Sequence, residues 1–101
     1  MYTIEDFQRL NFLDKMVITK HSRERFVERD ILIEDVCNVI ATGEIIKQYP
    51  DDHPFPSCLI YGHSRGKVIH IVASIDDNYI YIITGYIPSL DRWKNDLKTR
   101  K

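Results

Sequence analysis

The stretch Ser57-Cys58-Leu59-Ile60-Tyr61-Gly62-His63-Ser64-Arg65-Gly66-Lys67-Val68-Ile69-His70-Ile71-Val72-Ala73-Ser74-Ile75-Asp76-Asp77-Asn78-Tyr79 decides the fold. Two runs rich in Ile, Val and aromatic residues flank Arg65-Gly66, and a third run follows Asp76-Asp77-Asn78. Such residues suit a pleated, half-buried surface. Short polar links containing Gly or Asn supply the positive φ that hairpins need. The spacing predicts antiparallel strands over 57–64, 67–75 and 79–87. Upstream, residues 44–49 change to a period of two and stop at Pro50, which predicts a fourth strand. The prolines of Asp51-Asp52-His53-Pro54-Phe55-Pro56 cannot join a ladder, so this segment reads as a loop.

Loop lengths set the register. A two-residue loop at Arg65-Gly66 makes Tyr61 oppose His70 and His63 oppose Val68. A three-residue loop at Asp76 to Asn78 makes Ile75 oppose Tyr79, His70 oppose Thr84 and Val68 oppose Tyr86. One face is then apolar: Ile60, Ile69, Ile71, Ala73, Tyr81, Ile83. The other carries Leu59, Val72 and Ile82, then a polar cluster of Tyr61, His70 and Thr84, with His63 and Tyr86 one row along.

Helical periods precede the strands. Thr3 and Asp6 form a weak capping box before Ile4, Phe7 and Leu10, giving a helix over about 4–12. Met16-Val17-Ile18 reads as a short edge strand. Thr19 caps a second helix, which Asp30 stops in a left-handed conformation. Ile33, Val36, Cys37 and Ile40 mark a third helix, closed by Gly43. Pro88 ends the last strand, and Leu90, Trp93 and Leu97 read as a short amphipathic helix. The predicted class is α+β: N-terminal helices packed on a four-stranded antiparallel meander sheet, with a short C-terminal helix, in a single domain over 1–101.

On the second helix, His21, Arg25 and Arg29 stand four residues apart and form one stripe. Three stacked cationic or potentially cationic groups invite an anion. Glu24 and Glu28 could instead pair with them as a salt-laced surface. His70, mid-strand among Val and Ile, reads either as a satisfied structural histidine or, beside Tyr61 and Thr84, as a proton-transfer group.

With 101 residues, 44% hydrophobic and 29% charged, the composition is that of a globular domain rather than a disordered chain. A net charge of −1 gives no global electrostatic footprint for nucleic acid. Any such contact must come from a local patch, either the stripe or the basic run around Arg92, Lys94, Lys98, Arg100 and Lys101. Cys37 and Cys58 lack metal-ligand spacing and read as reduced thiols of a cytoplasmic protein. No run has the length of a membrane span and no signal pattern opens the chain, so no membrane partner is expected. Asp51-Asp52-His53 lacks the spacing of a metal site. Neither metal nor cofactor is expected.

An ordered set of segments carries a resemblance. They are Thr19-x-His21-Ser22-x-x-Arg25-x-x-x-Arg29, Gly43-Glu44-Ile45-Ile46, Tyr49-Pro50-Asp51-Asp52, Val68-Ile69-His70-Ile71-Val72 and Ile83-Thr84-Gly85-Tyr86-Ile87-Pro88 followed by Trp93. Together they resemble the family catalogued as domain of unknown function 4258. That resemblance implies kinship with the RelE-like and barnase-like ribonuclease toxins, which cleave RNA without metal through the 2′-hydroxyl. It also implies a zinc-finger-type antitoxin partner.

The expectation is a toxin-like endoribonuclease of the mRNA interferase type. His21 and His70 would be acid and base, and Arg25 and Arg29 would hold the phosphate. Tyr61, Thr84 and Tyr86 would orient His70 or stack on a base. RNA, free or presented by a ribosome, is the expected substrate, and a homodimer is left open. The alternative is a non-catalytic protein-binding module using the same helix–sheet surface.

Overall fold

In a computed structural model that describes residues 1–101, the chain runs α1 (Ile4–Gln8), β1 (Met16–Ile18), α2 (Lys20–Glu28), α3 (Ile33–Thr42), β2 (Glu44–Tyr49), β3 (Ser57–Ser64), β4 (Lys67–Asp76) and β5 (Tyr79–Tyr86). One five-stranded sheet has the order β1-β5-β4-β3-β2. β1 pairs with β5 in parallel and the other pairs are antiparallel. The class α+β stands, but the four-stranded antiparallel meander is corrected to a five-stranded mixed sheet. Met16–Ile18 is a full member because its run lies alongside residues 80–82 of β5.

The C-terminal helix is also corrected. Residues 88–101 form turns and a single bridge between Trp93 and Arg100. The Asp96 carboxylate accepts from the N–H groups of Lys98 and Thr99 at 2.9 and 3.0 Å and from the Thr99 hydroxyl at 2.8 Å. Asx-type bonds of this kind offer the backbone an alternative to the helical ladder. Leu97, just after Asp96, takes a φ of 57°. The apolar spacing of Leu90, Trp93 and Leu97 thus serves a looped strap and not a helix.

The β3–β4 register agrees with the loop-length argument: Tyr61 faces His70 and His63 faces Val68. The β4–β5 register does not. Asp77 and Asn78 both take positive φ, 50° and 64°, so they alone form the tight turn and Asp76 pairs with Tyr79. The count then shifts once more, between Ala73, paired with Ile82, and Val72, paired with Thr84. Ile83 is the extra residue, a β-bulge. His70 therefore pairs with Tyr86 and not with Thr84. Ile80 and Ile82 enter the core, while Tyr81 and Ile83 are more exposed than expected.

All three helices cover one sheet face, where Phe7, Phe26, Val36, Val39 and Ile40 meet Ile60, Ile69, Ile71 and Ile82. Gly85 belongs to this face. A Cβ there would stand 2.7 Å from Ile71 Cδ1 and 2.8 Å from Phe26 Cε1, so the absence of a side chain lets α2 approach. α2 also runs beside β5 beyond the reach of β1. Ser22 donates its hydroxyl to the Ile83 carbonyl at 3.0 Å, and Arg29 Nη1 donates to the Gly85 carbonyl at 2.7 Å.

Leu32 supplies no capping oxygen to α3, and Asp35 compensates by accepting the Leu32 N–H at 2.7 Å. The same buried carboxylate takes two bonds from Arg65, at 2.8 and 2.9 Å, and one from the Ser64 hydroxyl at 2.6 Å. The Arg65 bonds are the main reason that Asp35 is held well below the usual carboxylate range, and burial opposes them. A depressed carboxylate contributes stability present above its unfolded value, about 3.9, and lost as pH falls toward the folded value. Asp35→Asn should cost about 2–3 kcal/mol at neutral pH, the low end for a broken buried pair because Arg65 is partly solvated. Urea unfolding checks this, and the variant should show a shallower loss of stability than the parent below about pH 4.

Candidate nucleic-acid interface

The sheet face opposite the helices holds a different chemistry. β4 alternates, so His70 points away from the face that carries Ile71. Its row runs Tyr61, His70, Tyr86 across three strands. Residues 88–101 fold back over this row. Trp93 is 5% exposed, and its ring stands edge-on to the imidazole at 4.6 Å.

His70 is fully buried, with both nitrogens engaged. Nε2 lies 2.7 Å from the Leu97 carbonyl oxygen and Nδ1 lies 3.2 Å from the Tyr86 hydroxyl. A carbonyl can only accept, so Nε2 carries the proton and Nδ1 accepts from Tyr86. Burial pushes the His70 pKa down from its ordinary value, and the Leu97 carbonyl partly opposes this. The imidazole is held neutral.

A groove of about 540 Å³ opens beside this row, between β2 and residues 93–100. Lys47, Tyr49, Tyr86, Trp93, Lys98 and Arg100 are among its walls. A hollow of about 320 Å³ adjoins it through Tyr86, Trp93 and Arg100 and adds Arg92. No carboxylate lines either space. Arg100 lies 5.3 Å from the Trp93 ring, and Lys98 lies 4.7 Å from the Tyr61 ring. Lys98 also pairs with Glu44 at 3.0 Å. Burial pushes the Tyr49 and Tyr86 phenols above their usual value, with the Arg100 charge opposing it in both.

The residues expected from the sequence divide between two places. Tyr61, His70 and Tyr86 come together, while Thr84 pairs with Val72 one row away. His21 and Arg25 sit on α2 and Arg29 caps its C-terminus; this helix packs against the other face of the sheet. His21 is exposed, with no hydrogen bond to a neighbour and no pocket shared with His70. Arg25 pairs with Glu28 at 3.3 Å, and Arg29 is committed to the Gly85 carbonyl. The structure does not bring the two histidines to one point.

Lys47 and Tyr49 escaped the sequence reading as groove residues. The β2–β3 register shifts between Ile45 and Lys47, leaving Ile46 extra. That shift sets Lys47 opposite Leu59 and Tyr49 opposite Ser57. No period-two count would place them there. The cations of the tail were visible as a basic run, but a helical reading could not aim them at the sheet.

Residues 18–87 match a family described as a domain of unknown function, DUF4258. The chain belongs to the DUF4258 family. No curated protein and no solved structure matches it, so kinship with RelE-like or barnase-like ribonucleases is found in none of these comparisons. The DUF4258 region contains His70, Tyr86, Lys47 and Tyr49. Trp93, Lys98 and Arg100, which form the other wall of the groove, lie beyond it.

Two outcomes follow for the buried row. Trp93→Ala should cost about 3–5 kcal/mol, as large core truncations do, read from a denaturant midpoint. For His70 the folded pKa lies below the unfolded one, so its contribution is present above about pH 6.5 and lost as pH falls. The parent should therefore lose stability as pH falls below about 6.5, the unfolded value. His70→Gln, which cannot be protonated in that range, should flatten that loss.

Proposed function

We propose that this DUF4258 protein is a toxin-like endoribonuclease that holds single-stranded RNA in the groove between β2 and residues 93–100. The observation that carries this reading is a concentration of charge. In a chain of net charge −1, Lys47, Arg92, Lys98 and Arg100 line two adjoining hollows that contain no carboxylate. Phosphates are positioned by such cations, and unstacked bases rest on aromatic faces. Tyr49, Tyr86 and Trp93 supply aromatic surface on the same walls. A double-stranded helix would instead need a broader surface that follows its shape.

His21 and His70 do not serve as a facing acid and base, because they belong to opposite faces. The relevant feature is a phenol on the groove wall, hydrogen-bonded to a neutral imidazole. RNA, free or presented by a ribosome, is the substrate in this reading, a cytoplasmic location follows, and an antitoxin would act by covering the groove. No helix of the chain is long and apolar enough to cross a membrane.

The test is binding of a labelled single-stranded RNA by fluorescence anisotropy over a salt series, with chelator present. Three or four neutralised phosphates predict a slope of log K against log salt of about −2 to −3. Arg100→Ala should weaken binding about five- to tenfold and reduce the slope by about 0.7. Arg25→Ala, on the other face, should leave both unchanged. Cleavage is scored as RNA fragments with 2′,3′-cyclic phosphate ends. Binding without cleavage would favour the non-catalytic module. Salt-independent binding, or equal loss in both variants, would remove the groove from the reading.

A further inference from the structure

We infer that Tyr86 is the proton acceptor for the RNA 2′-hydroxyl, with His70 behind it as the reservoir that makes a neutral phenol able to accept. The inference rests on the ribonuclease reading above and assigns to that site a base that sequence alone misplaced. Three observations carry it. Tyr86 is half-buried and is among the residues that line both adjoining hollows. Its hydroxyl proton is already directed at His70 Nδ1, at 3.2 Å. Nε2–H of the same ring is anchored on the Leu97 carbonyl at 2.7 Å, an acceptor that becomes a stronger partner once the ring is cationic.

The proton movement balances. The 2′-hydroxyl gives its proton to Tyr86 Oη as the Tyr86 proton passes to Nδ1. The 2′-oxygen bonds to phosphorus, and the bond from phosphorus to the 5′-oxygen breaks. The 5′-oxygen leaves with a proton from water, and His70 later returns its proton through Tyr86 to solvent. The products are a 2′,3′-cyclic phosphate and a 5′-hydroxyl. Charge developing on the phosphoryl oxygens meets Arg100, Lys47 and Lys98, which line the same groove.

Desolvation suits His70 to this role, because it keeps Nδ1 free of a proton at neutral pH. The titratable and charged groups facing the pair are few. Tyr61 comes from β3, Tyr49 from β2, and Lys98 and Arg100 from the strap, with Trp93 stacked edge-on against the imidazole. In this arrangement Tyr86 is the catalytic residue and His70 a positioning residue that acts through it.

A merely structural Tyr86–His70 bond would predict that its loss lowers stability alone. The experiment therefore reads rate, pH profile and binding separately on the full chain, with a single-stranded RNA and chelator. Tyr86→Phe keeps the ring and should bind RNA within about twofold of the parent. Its cleavage should fall about 10²–10⁴-fold, the usual loss for a proton-transfer group. In the parent, the rate should rise with pH along a limb set by His70. His70→Gln can accept from Tyr86 and donate to Leu97 but cannot hold a proton. It should fold, bind RNA, and lose both the rate and that limb. His63→Ala is the control, because His63 is an exposed imidazole on the same sheet face. Undiminished cleavage by Tyr86→Phe, or a rate lost in His63→Ala and kept in Tyr86→Phe, overturns the assignment while the ribonuclease reading stands. A parent that binds but never cleaves overturns both.

Discussion

An imidazole can be buried only if both nitrogens find partners, and the far side of this sheet is built on meeting that condition for His70. β4 places the ring among apolar neighbours, where an unmatched nitrogen would cost about 1–3 kcal/mol. Tyr86 satisfies one nitrogen and the Leu97 backbone the other. Satisfying the second requires residues 88–101 to turn back over the sheet, which brings Trp93 onto the imidazole and Lys98 and Arg100 to the rim. The basic groove is thus a consequence of how a buried histidine is solvated by its own chain.

The strap is held at several unlike points. Asp96 closes its turn through three bonds, the backbone of Trp93 bridges to Arg100, and Lys98 reaches Glu44 on β2. The exposed ion pair adds little alone. Burial of Trp93 and the His70 bond provide most of the hold. Because the cations ride on a strap anchored to the sheet, their positions relative to Tyr49 and Tyr86 are fixed before any ligand arrives. Such preorganisation lowers the entropic cost of binding a flexible strand.

Much of this architecture was legible in the sequence. The second and third helices, the Thr3 and Thr19 caps, the left-handed stop at Asp30 and the β3–β4 register all follow from local rules, and the structure agrees with them, while the first helix, expected to reach about residue 12, ends at Gln8. Two of the register departures share one cause. Alternation and loop length assume an unbroken pleat, and both β2 and β5 contain an extra residue, Ile46 and Ile83. A bulge leaves no mark in the pattern of apolar residues, because Ile suits either side of it. For the tail, the spacing of Leu90, Trp93 and Leu97 satisfied a helical period, while the decisive signal was Asn95-Asp96, residues that favour turns over helix. His21 and Arg25 lie one turn apart on α2, and Arg29 caps its C-terminus. What sequence could not show is that Phe26 seats its helix on the face His70 avoids.

The bulge at Ile83 also explains how α2 matters to a site it does not touch. The tight turn at Asp77-Asn78 starts β5 in a register that, continued unbroken, would set His70 opposite Gly85 and send the Tyr86 side chain into the helical core. One extra residue reverses the parity, so Gly85 faces Phe26 and Tyr86 faces His70. A bulge interrupts the ladder and exposes a carbonyl, and here α2 accounts for it: the Ser22 hydroxyl donates to Ile83 O. Ser22 in turn receives the Thr19 hydroxyl at 3.0 Å and donates its own N–H to Thr19 Oγ1 at 3.1 Å, so the cap of α2 and the clasp of the bulge are one network. Two residues further along β5, Arg29 satisfies the Gly85 carbonyl. The Thr19, Ser22 and Arg29 positions of the helix therefore act through the backbone of β5. They hold the strand in the register that delivers the Tyr86 hydroxyl to the imidazole on the opposite face.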